Sequence, residues 1–146
     1  MWCHDAPNWF RWNEIEKESG FHRFYRLMIY FRKSHQLLRR AEFLSTQDVD
    51  WHGHLPFKAD WSGTSRFVAY TLKENVNHQH LYIAFNAEST RPCVQLPDPP
   101  PHKKWYRIVD TALESPFDFI EDPQKFPAIK ASYKMEAYSS LIVQAL

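Results

Sequence analysis

The chain has 146 residues, 44% hydrophobic and 24% charged, which suffices for one globular domain with a short appendage but not for two full domains. Eighteen Lys and Arg residues against seventeen Asp and Glu give a formal net charge of +1, so neither nucleic acid nor an anionic membrane surface is indicated as a partner. The longest apolar runs fall far short of the roughly 20 residues that cross a bilayer, which argues against a membrane span.

The first predicted element is an amphipathic helix that begins at Ser19. Phe21, Phe24, Met28 and Phe31 recur at intervals of three or four residues, the period of one helix face. The pattern predicts a helix that starts at Ser19 and ends near residue 34 or 35, with this stripe as its apolar face.

After residue 41 the helical period gives way to short β-branched and aromatic runs separated by turn-forming segments. The predicted strands are residues 48–51, 65–72, 80–86, 93–96, 105–109, 133–135 and 139–145. Seven short strands are typical of an antiparallel β-sandwich, so the sequence predicts a mainly β fold preceded by one helix. In the last strand Leu141, Val143 and Ala145 alternate with Ser140, Ile142 and Gln144, so we expect that strand to be more one-sided than the predicted strands 65–72 and 80–86.

No acidic pair can be singled out as catalytic. Glycoside hydrolysis requires two carboxyl groups about 5 to 10 Å apart, a distance that the sequence does not give. Asp48 and Asp50 flank a predicted strand start and are interpreted as surface charge. Established motifs for nucleotide binding, acyl transfer and zinc proteolysis are missing from the sequence.

Two histidine pairs have a spacing that a metal site could use. His52 and His54, like His78 and His80, lie two residues apart, which in a strand turns both rings to one face. No third ligand follows at a zinc spacing, so these are interpreted as loop histidines and no metal site is predicted.

Aromatic residues make up 16% of the chain, an unusually large share. Trp51 and Trp61 lie in or beside predicted turns, and their flat rings could stack on the apolar faces of sugars. The alternative for each is packing in the core or at a domain contact.

Several segments together resemble one enzyme family. They are residues 3–12 (CHDAPNWFRW), 24–40 (FYRLMIYFRKSHQLLRR), 48–53 (DVDWHG), 61–72 (WSGTSRFVAYTL), 81–87 (LYIAFNA), 96–101 (LPDPPP), 105–116 (WYRIVDTALESP) and 138–143 (YSSLIV). The segments are similar to motifs of the isoamylase-type starch and glycogen debranching enzymes of the α-amylase superfamily. The resemblance extends over essentially the whole chain.

This resemblance implies a carboxyl-terminal portion of such an enzyme. Residues 1–45 would be the end of a catalytic (β/α)8 barrel, namely the loop after strand eight and the final helix, and residues 46–146 the C-terminal β-sandwich. In the family the catalytic carboxylates lie at the ends of barrel strands, all before Met1 on this alignment. We therefore expect no catalytic residue here, and a role in stabilising a barrel that hydrolyses α-1,6 branch linkages by a retaining mechanism without a cofactor.

The resemblance also implies site residues, partners and a compartment. His4, Asp5 and Trp9 would line a loop at the barrel mouth and contact substrate, and Trp51 and Trp61 are candidates for glucan stacking. The expected partners are the barrel itself and, through the parent enzyme, a branched α-glucan such as glycogen, amylopectin or limit dextrin. Two cysteines fit a reducing compartment, for which the bacterial cytoplasm is expected and the plastid stroma is the alternative.

Two other functions stay open at this point. The chain could be a stand-alone glucan-binding module that uses Trp51, Trp61 or Trp105, or a non-catalytic isoamylase-like subunit of an active debranching enzyme.

Overall fold

The computed structural model describes residues 12–14, 16–17, 19–74 and 79–146. Its one α-helix within these residues, α1, spans Ser19–Ser34. The strands are β1 (Val49–His52), β2 (Phe67–Glu74), β3 (Gln79–Asn86), β4 (Cys93–Gln95), β5 (Trp105–Asp110), β6 (Ser132–Lys134) and β7 (Ser139–Ala145). Every predicted strand is confirmed, with ends that differ by at most two residues.

Helix α1 ends where the sequence predicts, and local hydrogen bonds explain why. His35 has an extended backbone, with φ −110° and ψ 110°, which cannot continue the helix. The last-turn carbonyl of Phe31 accepts hydrogen bonds from the His35 backbone N–H at 3.2 Å and the Ser34 hydroxyl at 3.0 Å. Arg32 and Lys33 place positive charge at the carboxyl end of the helix, where its dipole favours cations.

The strands form two antiparallel sheets. A five-stranded sheet has the order β1-β2-β3-β7-β5, and a two-stranded sheet pairs β4 with β6. The small sheet covers one face of the large sheet, and the buried residues between them are Phe67, Ala69, Tyr82, Ala84, Val94, Leu96, Trp105, Met135, Leu141, Val143 and Ala145. The sandwich prediction is therefore confirmed.

Helix α1 covers part of the other face of the large sheet. Leu27 and Phe31 pack there with Leu37 against strand residues that include Ile83 and Ile142. The molecule thus has three layers, with the large sheet buried between a helix and a small sheet.

Polar contacts hold α1 on the sandwich at both of its ends. Near the amino end, Arg23 donates to the Asp118 carboxylate at 2.8 Å and to the Phe119 carbonyl at 2.9 Å. Beyond the carboxyl end, the His35 ring Nε2 lies 3.0 Å from the Gln144 amide nitrogen on β7. Since His35 Nδ1 lies 2.8 Å from the Phe31 carbonyl and must donate to it, Nε2 accepts from Gln144.

The burial of two faces depends on which layer covers them. Strand β7 is somewhat more buried on its Leu141, Val143 and Ala145 side, as expected, and α1 with the segment that follows it also covers the Ile142 and Gln144 side. The predicted helix stripe is divided, since Phe31 is buried against the sheet and Phe24 and Met28 are half-buried there, whereas Phe21 is exposed. Residue spacing does not contain which layer covers a face.

Candidate functional site

An exposed tryptophan pair lies at the β1 edge of the large sheet. Trp51 is on β1, and Trp61 follows in the loop between β1 and β2. Their ring centroids are 5.2 Å apart with an interplanar angle of 72°, an edge-to-face contact. Trp51 is 44% exposed and Trp61 is 66% exposed, so the structure brings the two predicted stacking residues together at the surface.

The aromatic surface continues across the sheet from this pair. Trp51 and Tyr70 are cross-strand partners with centroids 5.3 Å apart, and Tyr70 lies 6.4 Å from Phe85 on β3. Tyr70 and Phe85 then line a groove of about 510 Å³ between the sheet and α1, where Ile29 is on the opposite wall. The aromatic rings on this face of the sheet are therefore contiguous with the helix.

A second apolar strip lies on the outer side of α1. Phe21, Tyr25 and Ile29 follow one another at intervals of four residues, and each is more than half exposed. The Phe21 and Tyr25 rings are 4.6 Å apart. We call these three residues the α1 flank. Exposed apolar groups that are contiguous in this way are typical of a surface that another protein segment covers.

The loop after β1 is shaped by close packing and by a buried histidine. A Cβ atom on Gly53 would lie 2.3 Å from the Lys58 carbonyl oxygen, so only glycine fits. His52 is 1% exposed, and its Nδ1 accepts from the Phe57 backbone N–H at 2.8 Å. Its Nε2 must then carry the proton and donate to the Thr71 hydroxyl at 2.9 Å. Burial lowers the pKa of His52, which keeps this ring neutral.

The same loop closes over a polar pocket. The pocket has a volume of about 350 Å³ and is lined by Gly53, His54, Leu55, Lys58, Asp60, Thr64, Ser65, Phe67 and Glu88. The His54 ring nitrogen lies 3.7 Å from a Glu88 carboxylate oxygen. The Ser62 backbone N–H donates to Asp60 at 2.9 Å, and this bond, with the Ser62 hydroxyl, lowers the pKa of the Asp60 carboxyl.

The carboxylates at the start of β1 are engaged in ion pairs. Asp48 accepts from the Arg40 guanidinium at 2.7 Å, and Asp50 accepts from the Lys73 ammonium at 2.8 Å. Hydrogen bonds from Ser45, together with Arg40, hold the pKa of Asp48 at about 2. Asp48 therefore joins the helical segment to the sheet, whereas Asp50 links β1 to β2 within the sheet.

Other candidate residues lie elsewhere. Trp105 is 1% exposed and donates from its indole nitrogen to the Pro97 carbonyl at 2.7 Å, so its proposed use in glucan binding was wrong. The interpretation of His52 as a loop histidine was also wrong, because it is the last residue of β1 and is buried. His54 lies beyond the strand end and is exposed, so the two rings do not share a face.

Several predictions fall on residues whose structure is not described. These are the candidate substrate contacts His4, Asp5 and Trp9, together with His78. Within residues 12–14, 16–17, 19–74 and 79–146, no group of three potential ligands lies close enough to hold a metal ion. Over the same ranges no helix has the length and apolarity that crossing a bilayer requires.

Sequence reasoning included Phe21 in the predicted stripe but missed Tyr25 and Ile29 of the α1 flank and the two aromatic residues that extend the tryptophan pair. Tyr25 and Ile29 have a readable signal, because they follow Phe21 at four-residue spacing. Tyr70 and Phe85 had no such signal, since the half-burial of Tyr70 and the exposure of Phe85 depend on how far α1 extends across the sheet.

The groove and the polar pocket suit different chemistry. The groove beside α1 is lined by apolar side chains with few polar groups, which favours another apolar protein surface. The polar pocket is lined by charged and hydroxyl-bearing residues and by neither tryptophan, which favours a polar ligand.

Comparison with known proteins identifies the family that this chain matches. Residues 50–145 match the family described as "Isoamylase 1-3, C-terminal". Isoamylase 1, chloroplastic, of Oryza sativa subsp. japonica is 40% identical over 98% of this chain and 19% of its own length. Isoamylase 1, chloroplastic, of Arabidopsis thaliana is 37% identical over 97% of this chain and 19% of its own length.

A bacterial relative is more distant. The isoamylase of Pseudomonas amyloderamosa is 31% identical over 73% of this chain and 14% of its own length. The chain thus spans about a fifth of the length of the plant relatives that it matches, or less.

Proposed function

The chain belongs to the isoamylase family, and from that membership we propose that it is the carboxyl-terminal portion of an enzyme that hydrolyses α-1,6-glucosidic branch linkages in glycogen or starch. On this proposal the catalytic carboxylates belong to the remainder of the enzyme, and a branched α-glucan is the substrate of the whole protein.

The proposed task of this portion is to stabilise a catalytic barrel. The observation that carries this proposal is the exposed α1 flank, Phe21, Tyr25 and Ile29, which is continuous with the apolar groove on the sheet. A helix whose other side is already buried on the sandwich has no internal use for a second apolar strip. A barrel packed on this flank would remove it from water.

We infer the division of the chain from the family resemblance. Residues 1–45 are assigned to the end of the barrel, with α1 as its last helix, and residues 46–146 to the β-sandwich. The family match over residues 50–145 supports a boundary after the helical segment. His4, Asp5 and Trp9 are then placed in a loop at the barrel mouth, where they would contact the glucan.

The proposed compartment is the plastid stroma. The relatives at 37 to 40% identity include isoamylases named as chloroplastic, whereas the named bacterial isoamylase is 31% identical. This favours the plastid stroma over the bacterial cytoplasm, which was the expectation from the sequence alone.

The experiment is sedimentation velocity on the 146-residue chain, alone and with a separately purified catalytic portion. The wild-type chain is expected to self-associate and to bind the catalytic portion, because its flank is uncovered. The double variant Tyr25→Ser and Ile29→Ser should lose both interactions. Tyr30→Ser is the matched control, since Tyr30 is also exposed but lies on a different side of α1.

A wild-type chain that stays monomeric and does not bind the catalytic portion would contradict the stabilising role. Equal behaviour of the flank variant and the Tyr30→Ser control would contradict the assignment of the flank.

A second candidate function is glucan binding by this portion itself, either alone or as a non-catalytic subunit. The exposure of Trp51 and Trp61 favours it. Co-purification with a separate glucan hydrolase would support the subunit form, whereas one long polypeptide would contradict it.

A further inference from the structure

We propose that the pocket between the amino end of α1 and the loop 111–118 receives an arginine side chain of the catalytic portion. The inference rests on the proposed function, which supplies this partner, and it adds the chemistry of one contact in their interface. We call this cavity the amino-end pocket. It is lined by Gly20, Phe21, Phe24, Tyr25, Thr111, Leu113, Glu114, Ser115 and Asp118.

The helix side of the amino-end pocket is aromatic. The rings of Phe21 and Tyr25 have centroids 4.6 Å apart, and the Tyr25 ring lies 6.1 Å from Phe24 in an edge-to-face contact. Two of these residues belong to the α1 flank, so the pocket opens onto the surface that the catalytic portion is proposed to cover. Its volume of about 490 Å³ is ample for one long side chain. The face of an aromatic ring carries partial negative charge and attracts a cation.

The loop side of the pocket has a fixed backbone. The Phe117 backbone N–H donates to the Glu114 carbonyl at 2.8 Å, and the Arg23 guanidinium donates to the Pro116 carbonyl at 3.2 Å. These bonds use the carbonyl of Glu114 and leave its carboxylate available. Because the backbone that carries this carboxylate is already ordered, a partner loses less conformational entropy on binding to it.

Glu114 carries the uncompensated charge of the pocket. Arg23 pairs with Asp118 at 2.8 Å and lies 3.6 Å from Glu121, while Arg107 donates to a carbonyl of the same loop at 2.6 Å. These five side chains are three carboxylates and two guanidiniums, so one negative charge is in excess. Within the described part of the chain, Glu114 makes no ion pair. The excess negative charge favours a cationic group on the partner.

An arginine side chain matches both sides of the pocket. Its planar guanidinium stacks on aromatic rings and donates two parallel hydrogen bonds to a carboxylate, here that of Glu114. Its apolar stem can contact Leu113. A lysine ammonium is compact and strongly hydrated, and an apolar side chain would leave the carboxylate without a partner. Arginine and aromatic residues are also the types enriched at protein interfaces.

The first test is an NMR titration of the 146-residue chain with N-acetyl-L-arginine amide. N-acetyl-L-citrulline amide is the matched probe, because its end group has a similar planar shape but no charge. Both titrations use an Ile29→Ser background to reduce self-association, since Ile29 belongs to the α1 flank but does not line the pocket.

The arginine amide is expected to shift the ring signals of Phe21 and Tyr25, and the citrulline amide to bind about fivefold more weakly or worse. Glu114→Gln should raise the dissociation constant of the arginine amide by about fivefold, since it removes the charge and keeps the size. Glu42→Gln is the matched control variant and should leave binding unchanged, because Glu42 is also exposed but lies beyond the carboxyl end of α1.

The second test is sedimentation velocity of the same variants with the separately purified catalytic portion. Glu114→Gln should weaken binding several-fold, and Glu114→Lys should weaken it further, because a positive charge at this position repels the incoming guanidinium. Glu42→Gln should bind as the wild type does. Glu114 is exposed, so neither change at this position disturbs the core.

Equal binding of the arginine and citrulline amides would overturn the inference, and tighter binding of N-acetyl-L-lysine amide would contradict the choice of arginine. Equal binding of the wild type and Glu114→Gln to the catalytic portion would also overturn it, while leaving the stabilising role of the α1 flank intact. A chain that binds the arginine amide but not the catalytic portion would contradict both the named partner and the stabilising role. Because the titration needs no catalytic portion, the two failures can be told apart.

Discussion

His52 shows how one buried side chain organises a loop that carries surface residues. It accepts from the Phe57 backbone and donates to Thr71, and its ring stacks on Tyr82 with centroids 5.6 Å apart. The neutral ring satisfies both partners, whereas a protonated ring could not accept from Phe57. The loop that holds Trp61 therefore depends on the protonation state of His52.

Stability is expected to fall on mild acidification because of His52. Burial lowers its pKa below the ordinary 6.5, so below pH 6.5 the unfolded chain binds a proton that the folded chain does not. The His52 contribution to the free energy of unfolding is fully present above pH 6.5. It decreases as the pH falls towards the folded-state pKa, by up to about 1.4 kcal/mol per pH unit. Urea unfolding at pH 7 and pH 5.5 measures this loss.

The matched variants for this prediction are His52→Gln and His54→Gln. His52→Gln should be less stable at pH 7 and should show a smaller loss between the two pH values. His54→Gln should behave as the wild type does. A His52→Gln variant with unchanged pH dependence would show that other groups cause the loss.

Asp48 makes a second pH-dependent contribution to the stability of the chain, at lower pH. Its pKa of about 2 lies below the ordinary 3.8, so the contribution is present above pH 3.8 and is lost as pH falls towards 2. Asp48→Asn should make acid unfolding less steep in this range, as followed by circular dichroism. Asp98→Asn, at an exposed aspartate, is the control, and an equal effect of both changes would refute the role of the Ser45 hydrogen bonds and the Arg40 pair.

At the scale of single residues, the sequence indicates which side chains are candidates for a site but not what surrounds each of them in the fold. Trp61 and Trp105 are the same type of residue, yet one is exposed in a loop and the other is enclosed between two sheets. The partners that decide this, such as the Pro97 carbonyl for Trp105, are brought in by the fold. His52 was likewise misread, because its partners belong to β2 and to the following loop.

Helix α1 is the element whose attachment to the sandwich matters most for the proposed function, because it carries the α1 flank. Its amino-terminal half is held by Arg23, which donates to Asp118, to the Phe119 carbonyl and, at 3.2 Å, to the Pro116 carbonyl. Asp118 is itself nearly buried, so removal of Arg23 would leave a carboxylate without its cation.

Arg23→Met is expected to destabilise the chain by about 2 to 3 kcal/mol, through lost charged hydrogen bonds and the unpaired Asp118. Amide hydrogen exchange of α1 should rise more than that of β3 or β7. Adding Asp118→Asn should restore part of the loss, while Arg26→Met, at an exposed arginine of the same helix, should change little. Uniform exchange across helix and sheet would argue against a local anchor.

The positions of the elements were predictable because the signals are local. Turn-forming segments and β-branched runs mark the strands, and the three-to-four-residue period marks α1. Which side of each element is buried was not predictable in the same way. Ile142 and Gln144 on β7 are buried only because α1 and the segment that follows it cover their side of the sheet.

For the whole molecule, the central feature is a surface left open on a complete sandwich. The sheet is covered by the small sheet on one side and partly by α1 on the other. What stays open is the α1 flank, the groove and the aromatic residues as far as Trp61. Family membership was predictable from the motifs in the sequence, whereas the continuity of this surface required the structure.

The most direct test of the central claim is the mass of the native polypeptide in its source, detected with peptides or an antibody from the segment 105–115. If this chain is the carboxyl-terminal portion of a debranching enzyme, the product is expected to be several times larger than 17.5 kDa. A native product of 17.5 kDa would contradict the claim and would leave glucan or protein binding as the function of the chain.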